Sequence, residues 1–153
     1  MTEVRDMGES QGEVVGLRVK LGRRQPMRQV EPMVFVAGNG IEGDIHFSDK
    51  PHQQGYQVLL MQEENLDALG LDHGVVRENV TTTGIDLQSL SPETRLGLGE
   101  DVVLRISKEC VPCGLMDDIR SGLQRELMGR RGMLAAVEEG GTVSLGDAVR
   151  VLG

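Results

Sequence analysis

The chain has 153 residues, enough for one domain that buries roughly 68 to 70% of its unfolded surface without disulfide staples. A formal net charge of −8 argues against nucleic acid or an anionic membrane as main partner, since both need a basic face, and with no Trp, one Tyr and two Phe there is little to stack bases on. No apolar run approaches the ~18 residues of a membrane span, and 21 glycines, about twice the usual share of roughly 7%, place tight turns between many short strands.

The first dozen residues carry charge and no apolar h-region, so residues 1–12 read as a flexible start without a secretory signal, and residues 13–153 as the domain. EVVGLRV (13–19) alternates Val15, Leu17 and Val19, the pattern of a half-buried strand. Behind it, LGRRQPMRQV holds Arg23, Arg24 and Arg28, the densest cationic cluster, and Pro26 argues against regular structure. This is either a solvated loop or a rim that attracts an anion.

PMVFVAG (32–38) has strand length, and the glycines at 38, 40 and 43 then break it, permitting positive φ and close backbone approach. No Lys-Ser/Thr pair follows Gly43 and no helix pattern succeeds it, which excludes a phosphate loop and a dinucleotide fingerprint. Asp44 and His46 read as a hydrogen-bonded structural pair or as two ligands of a metal still lacking a third. YQVLLM (56–61) is the next strand, QEENLDALG a short helix stopped by Gly70, and His73 a surface turn residue.

RENVTTTGIDL (77–87) lacks the alternation of a surface strand. Thr81, Thr82 and Thr83 offer a row of hydroxyls beside Arg77, Asn79 and Gly84, and the stretch reads as a polar, ligand-facing segment rather than an ordinary edge strand. RLGLGEDVVLRI (95–106) and TVSLGDAVRVL (142–152) share apolar alternation, a Leu-Gly and an acidic turn, so the same hairpin is expected twice. The fold class that follows is β-rich, mainly antiparallel and barrel-like, with a few short helices.

CVPC (110–113) holds both cysteines, which form no disulfide framework and point to a reducing cytoplasm. It lies between the strand DVVLRISK (101–108) and a stripe of Leu115, Ile119, Leu123 and Leu127 that predicts one amphipathic helix over 115–127. A thiol ahead of a helix is favoured as thiolate, the nucleophilic and metal-binding form, which makes Cys113 the candidate reactive group. Read literally, Cys110 and Cys113 are instead a dithiol redox pair, although hairpins rather than βαβ units precede them. The plainest alternative is a cysteine that fills core. Past Gly129, Arg130 and Arg131 suit an anion or the negative end of the preceding helix, and MLAAV (133–137) is a buried strand. The three lysines, Lys20, Lys50 and Lys108, lie in no evident cofactor pocket, so a pyridoxal-phosphate enzyme is not expected.

GIEGDIH, YQVLLMQEENL, RENVTTTGIDL, the Leu-Gly hairpin, the Pro-Cys of VPCG, GRRGMLAAV and the closing VSLGDAV occur in one order from about residue 26 onward. That ordered set resembles the molybdenum-cofactor sulfurase C-terminal (MOSC) domain family in its small stand-alone bacterial form. The resemblance implies a MOSC-type barrel whose pocket binds the molybdenum cofactor (molybdopterin) or handles its sulfur. The family's Pro-preceded cysteine falls on Cys113, a molybdenum ligand in members that reduce N-hydroxylated compounds and a proposed persulfide carrier in sulfur-handling ones. Matching also implies pocket roles for Gly43, Asp44, Asn79, Thr81 and Gly84. Arg77 stands where relatives commonly have glycine, and it adds a cation, with Arg130 and Arg131, to meet a pterin phosphate. The partners implied are a pyridoxal-phosphate cysteine desulfurase that supplies sulfur, or an electron-donor protein.

Overall fold

A computed structural model describes residues 11–153. Its strands are β1 (Gln11–Val19), β2 (Arg28–Gln29), β3 (Met33–Val36), β4 (Gly40–Ile41), β5 (Val58–Gln62), β6 (Val80–Thr83), β7 (Arg95–Leu98), β8 (Val102–Glu109), β9 (Met133–Glu139), β10 (Gly141–Val143) and β11 (Ala148–Val151). Three short α-helices accompany them among the described residues: α1 (Glu63–Ala68), α2 (Met116–Ile119) and α3 (Leu123–Glu126). The expectation of a flexible start lies outside the described residues up to position 10, while Gln11 and Gly12 already belong to β1.

Seven strands close into a barrel in the order β11-β7-β8-β9-β5-β6-β1, with β2 added to β1. The seam is the antiparallel pairing of β1 with β11, from Gln11 opposite Arg150 to Glu13 opposite Ala148. The β-rich, mainly antiparallel barrel read from the sequence is therefore the observed architecture, with one parallel pair, β5 and β6, in register at Leu60 and Val80. Parallel neighbours need a crossover, and residues 63–79 supply it through α1.

The inward side chains of the barrel, among them Leu60, Leu104, Ile106, Ala135 and Val149, form the main core. A small sheet ordered β10-β3-β4 packs Met33, Phe35, Ile41 and Val143 onto the same core. Alternate residues of β5 face opposite sides: Leu60 points into this core, and Met61 joins a second cluster with Leu66, Val76, Met116, Leu123 and Leu127. Burial on both faces explains why VLLM is an unbroken apolar run.

Three expectations need correction. The segments 142–143 and 148–151 are not a second hairpin: β10 pairs with β3, while β11 pairs with β7 and β1, so the Ser144–Asp147 turn hands the chain from one sheet to another. Residues 115–127 are not one helix either, because Gly122 at φ 87° separates α2 from α3. The stripe splits accordingly, with Leu115 and Ile119 exposed and Leu123 and Leu127 buried. Finally, the stretch expected to be a polar, ligand-facing segment holds a central strand: β6 lies between β5 and β1, and its Thr81 and Thr82 are fully buried.

Candidate functional site

Outside the barrel wall lies a cavity of about 750 Å³ where the end of β1, the Asp44–His46 turn, the Gly74–Arg77 turn, the segment after Cys113 and the approach to β9 converge. Its lining carries Lys20, Arg24, His46, Arg77 and Arg131 together with Cys113, and also the apolar Met27, Val75, Leu115, Met116 and Ile119 and the acidic Asp118. A volume of this size lies within the roughly 300 to 1,000 Å³ of small-molecule sites. In a chain with net charge −8, this concentration of cations is the local exception.

Asp44 organises two of these lining residues, Lys20 and His46. It is buried, its Oδ1 accepts the Lys20 backbone N–H at 2.7 Å and the Asn79 Nδ2–H at 3.0 Å, and its Oδ2 accepts the His46 backbone N–H at 2.9 Å. The His46 Nδ1 lies 3.3 Å from the same Oδ2, which leaves Nε2 free on a ring that lines the cavity. Burial opposes ionisation of Asp44, but the His46 ring, the two backbone N–H groups and the Lys20 ammonium outweigh it and hold the carboxyl below its ordinary value. Asp44 and His46 form a hydrogen-bonded pair, and no cluster of three or more His, Cys, Asp and Glu side chains suited to a metal occurs among the described residues.

Lys20 was not expected here. It follows β1, where its carbonyl accepts the Ile45 N–H at 3.0 Å and holds its place beside the Asp44 turn. Burial lowers the Lys20 pKa; the Asp44 carboxylate opposes that shift, Arg77 and Arg131 reinforce it, and Cys110 opposes it. The only hint in the sequence was position, a lysine at the end of a buried strand and just ahead of the arginine-rich loop.

Arg131 is 7% exposed, and its Nε and Nη1 have no hydrogen-bond partner among the described residues. Its place is fixed by Gly132, at φ 104°, where an added Cβ would sit 2.2 Å from the Leu60 carbonyl oxygen, so the backbone there lies directly against β5. A buried guanidinium with unpaired donors is unfavourable unless an anion meets it. Its neighbour Arg130 is exposed and does not line the cavity.

Arg77 adopts φ 67°, the left-handed region that favours glycine. Its Nη1 donates to the Gln25 carbonyl at 2.7 Å and its Nη2 to the Gly22 carbonyl at 2.9 Å. Arg77 thus ties down the arginine-rich loop as a rim while keeping its charge at the cavity. Arg24 lies on that rim, Arg23 lines a shallow recess beside it, and Arg28 is exposed in β2 away from both.

The polar segment after Arg77 is placed elsewhere. Asn79 is 1% exposed and spends its side chain on the barrel: Oδ1 accepts the Leu59 N–H at 3.0 Å, and Nδ2 donates to the Arg18 carbonyl at 3.1 Å and to Asp44. Thr81 donates to Glu78 Oε2 at 2.8 Å, Thr82 is fully buried, and Thr83 and the Gly84 N–H both bond Glu64 Oε2. Gly43 is exposed in its turn at φ 88°. None of Gly43, Asn79, Thr81, Thr82, Thr83 and Gly84 lines the cavity. A central strand must satisfy its polar groups internally, and Asn79 reaches the site only through Asp44. His73 is likewise no simple surface residue, since its Nε2 lies 2.8 Å from Glu63 Oε2 and joins its turn to α1.

Cys113 is exposed at the cavity, and its carbonyl accepts the Met116 N–H at 3.0 Å. The helix that follows has four residues, too short to lend the dipole expected of a 115–127 helix. Lys20, Arg77 and Arg131 line the same cavity as the thiol. Cys110 is half-buried, with its N–H donating to the Gly132 carbonyl at 2.9 Å. The strand ahead of the motif, β8, belongs to an antiparallel barrel, unlike the βαβ setting of a thioredoxin-type dithiol.

Similarity to known proteins agrees with this architecture. The solved YuaD protein from Bacillus subtilis superposes with a TM-score of 0.78 at 23% identity, covering 92% of this chain and 95% of that one. YiiM from Escherichia coli gives 0.70 at 17% identity, over 94% of this chain and 70% of that one. YiiM from Geobacillus stearothermophilus gives 0.66 at 14% identity, over 93% and 73%. At these identities the likeness is one of fold. No curated protein matches the chain in sequence. Residues 42–150, more than half of the chain, match the MOSC domain, which reaches from the Asp44 turn through Cys113 and Arg131 to β11. The chain belongs to the MOSC domain family, which is associated with the molybdenum cofactor.

Proposed function

We propose that the cavity binds the molybdenum cofactor and that Cys113 is the protein's ligand to its metal. The observation that carries this reading is Arg131, buried at the cavity with two unpartnered nitrogens beside Lys20, Arg77 and an exposed thiol. The residues fit the group. A pterin dithiolene carries a phosphate, which matches a buried guanidinium and an ammonium, and a soft thiolate suits molybdenum. With no cluster of further protein ligands among the described residues, the metal would have to arrive already held by its cofactor. Bound there, the cofactor supplies two-electron redox chemistry of the kind that reduces N-hydroxylated compounds.

The chain's own residues have separate tasks. Lys20 and Arg131 hold the anionic end, and Arg77 keeps the 22–25 loop against it through two carbonyls. Asp44 fixes the Lys20 backbone and the His46 ring at the cavity. Cys113 presents its sulfur at the open side, where an electron-donor protein could approach.

That exposure also favours a second reading, in which Cys113 carries persulfide sulfur. Its thiolate would attack the terminal sulfur of a persulfide on a cysteine desulfurase; the donor's S–S bond breaks, the donor leaves as thiolate, and the sulfur stays on Cys113. Metal and pterin analysis of anaerobically isolated protein, wild type beside Cys113→Ala and Arg131→Met, tests the first reading. Stoichiometric molybdenum and pterin in the wild type and loss of metal in Cys113→Ala are expected. A wild type free of both, with a single added sulfur on Cys113 by mass spectrometry after incubation with a desulfurase, would favour the second.

A further inference from the structure

Arg131 owes its place to the residue after it, and that residue is held by a side chain the cofactor reading does not use. Gly132 is buried against the Leu60 carbonyl of β5, so it can carry no anchoring side chain of its own. Its N–H donates to Gln88 Oε1 at 2.6 Å, and its carbonyl accepts the Cys110 N–H. Gln88 is in turn seated from β5, where the buried Gln62 accepts the Leu87 N–H at 2.9 Å and the Gln88 N–H at 3.3 Å on a single Oε1. Resting on the cofactor reading, we propose that Gln88 is a positioning residue for the anion site: acting through Gly132, it sets the Arg131 guanidinium at the cavity and tethers it to the cysteine segment.

Three observations carry the proposal. First, the Gly132 backbone is a shared node, with Gln88 on its N–H and the first residue of the CVPC motif on its carbonyl, so a turn of this residue displaces Arg131 and Cys110 together. Second, Gln88 does not line the cavity. It borders a separate recess of about 370 Å³ with Lys108, Glu109 and Gly129, so its effect on a bound anion is indirect. Third, the Nε and Nη1 of Arg131 have no partner among the described residues, so neither atom tethers the guanidinium once its backbone shifts. A buried N–H that loses its acceptor is unfavourable. Truncating Gln88 therefore favours a rotation of the Gly132 peptide toward another partner, and Arg131 moves with it.

Calorimetry with inorganic phosphate on the cofactor-free full chain tests this. Gln88→Ala removes the acceptor at a half-buried position that the fold tolerates. Val149→Ala, in the main core and away from the cavity, is the control that costs stability alone. Phosphate affinity is expected to fall about 3- to 30-fold in Gln88→Ala and to stay within about twofold of wild type in Val149→Ala. Unchanged affinity in Gln88→Ala overturns the positioning role and spares the cofactor reading, as does an equal fall in Val149→Ala. If the wild type binds no phosphate, the anion site of the cofactor reading fails, and phenylglyoxal modification of Arg131, followed by peptide mass spectrometry, decides the positioning alone. Gln88→Glu then supplies the rescue, since a carboxylate also accepts the Gly132 N–H. Arg131 modified several-fold faster in Gln88→Ala, but at the wild-type rate in Gln88→Glu, keeps the proposal; any other pattern removes it.

Discussion

Replacing Arg131 with methionine keeps an unbranched stem of similar reach and removes a guanidinium whose Nε and Nη1 are buried without partners. Each unpaired buried donor costs about 1 to 3 kcal/mol, and the same change relieves repulsion with Lys20. Allowing for packing lost from the longer side chain, the cofactor-free variant should gain about 2 kcal/mol. For a chain of this length that is a rise of about 4 to 8 °C in Tm. Differential scanning fluorimetry with a phosphate titration reads both halves of the argument. Wild type should climb by about 2.7 kcal/mol at a hundredfold excess of phosphate over Kd, and Arg131→Met should start higher and fail to climb. A variant that melts several degrees lower, or one that keeps the phosphate response, would show that Arg131 is a structural residue and refute the reasoning.

Arg77→Gly and Arg77→Ala lose the same bonds to the Gly22 and Gln25 carbonyls, but only glycine accepts φ 67° without strain. The glycine variant should be more stable than the alanine variant by about 1 kcal/mol in urea unfolding, and both should be cut faster by protease within residues 22–27. Asn79→Ala leaves the buried Leu59 N–H without an acceptor and frees one side of Asp44, so it should lower stability by roughly 2 to 4 kcal/mol, measured by the urea midpoint. The pH dependence follows from Asp44, whose folded-state pKa lies below the ordinary 3.8. Its ionised network stabilises the fold above that value and is lost as pH falls through the lower, folded one. Urea midpoints measured downward from pH 6 should fall more steeply there in wild type than in Asp44→Asn.

Local pattern was a good guide where burial is one-sided or complete. The alternation of residues 13–19, the apolar runs that became β5 and β9, and Gly70 closing α1 all express which faces meet the core, and these segments form the elements expected of them. Partner choice is another matter. TVSLGDAVRVL has the alternation and turn of a hairpin, yet period-two patterning says only that one face is buried, not against which strand, and β10 and β11 join different sheets. Leu115 and Ile119 keep helical spacing with Leu123 and Leu127, but Gly122 in the left-handed region interrupts the register between the pairs. At the site, Cys113 and Arg131 were legible because their residue types announce chemistry. Asn79 carried the same polar signal for a different reason, as a buried connector of β6, β5 and the Asp44 turn. Lys20 left only its position as a hint in the sequence, since what makes it a site residue is a turn 24 positions away, whose Asp44 carboxylate accepts the Lys20 N–H and whose Ile45 N–H donates to the Lys20 carbonyl.

The β1–β11 seam has a consequence for how the site comes into being. Residues 11–13 must find residues 148–150 before the barrel shuts, a loop closure spanning nearly the whole described chain. Lys20 follows the first of these strands, and Arg131 leads into β9, so these two of the cavity's cations come from distant parts of the chain. An anion bridging them, as proposed above, would tie the end of β1 to the approach to β9 across the wall β1-β6-β5-β9, and so would favour only chains in which that wall has assembled. Loading would then double as a check on completed folding, and unloaded protein should be the population that opens first there.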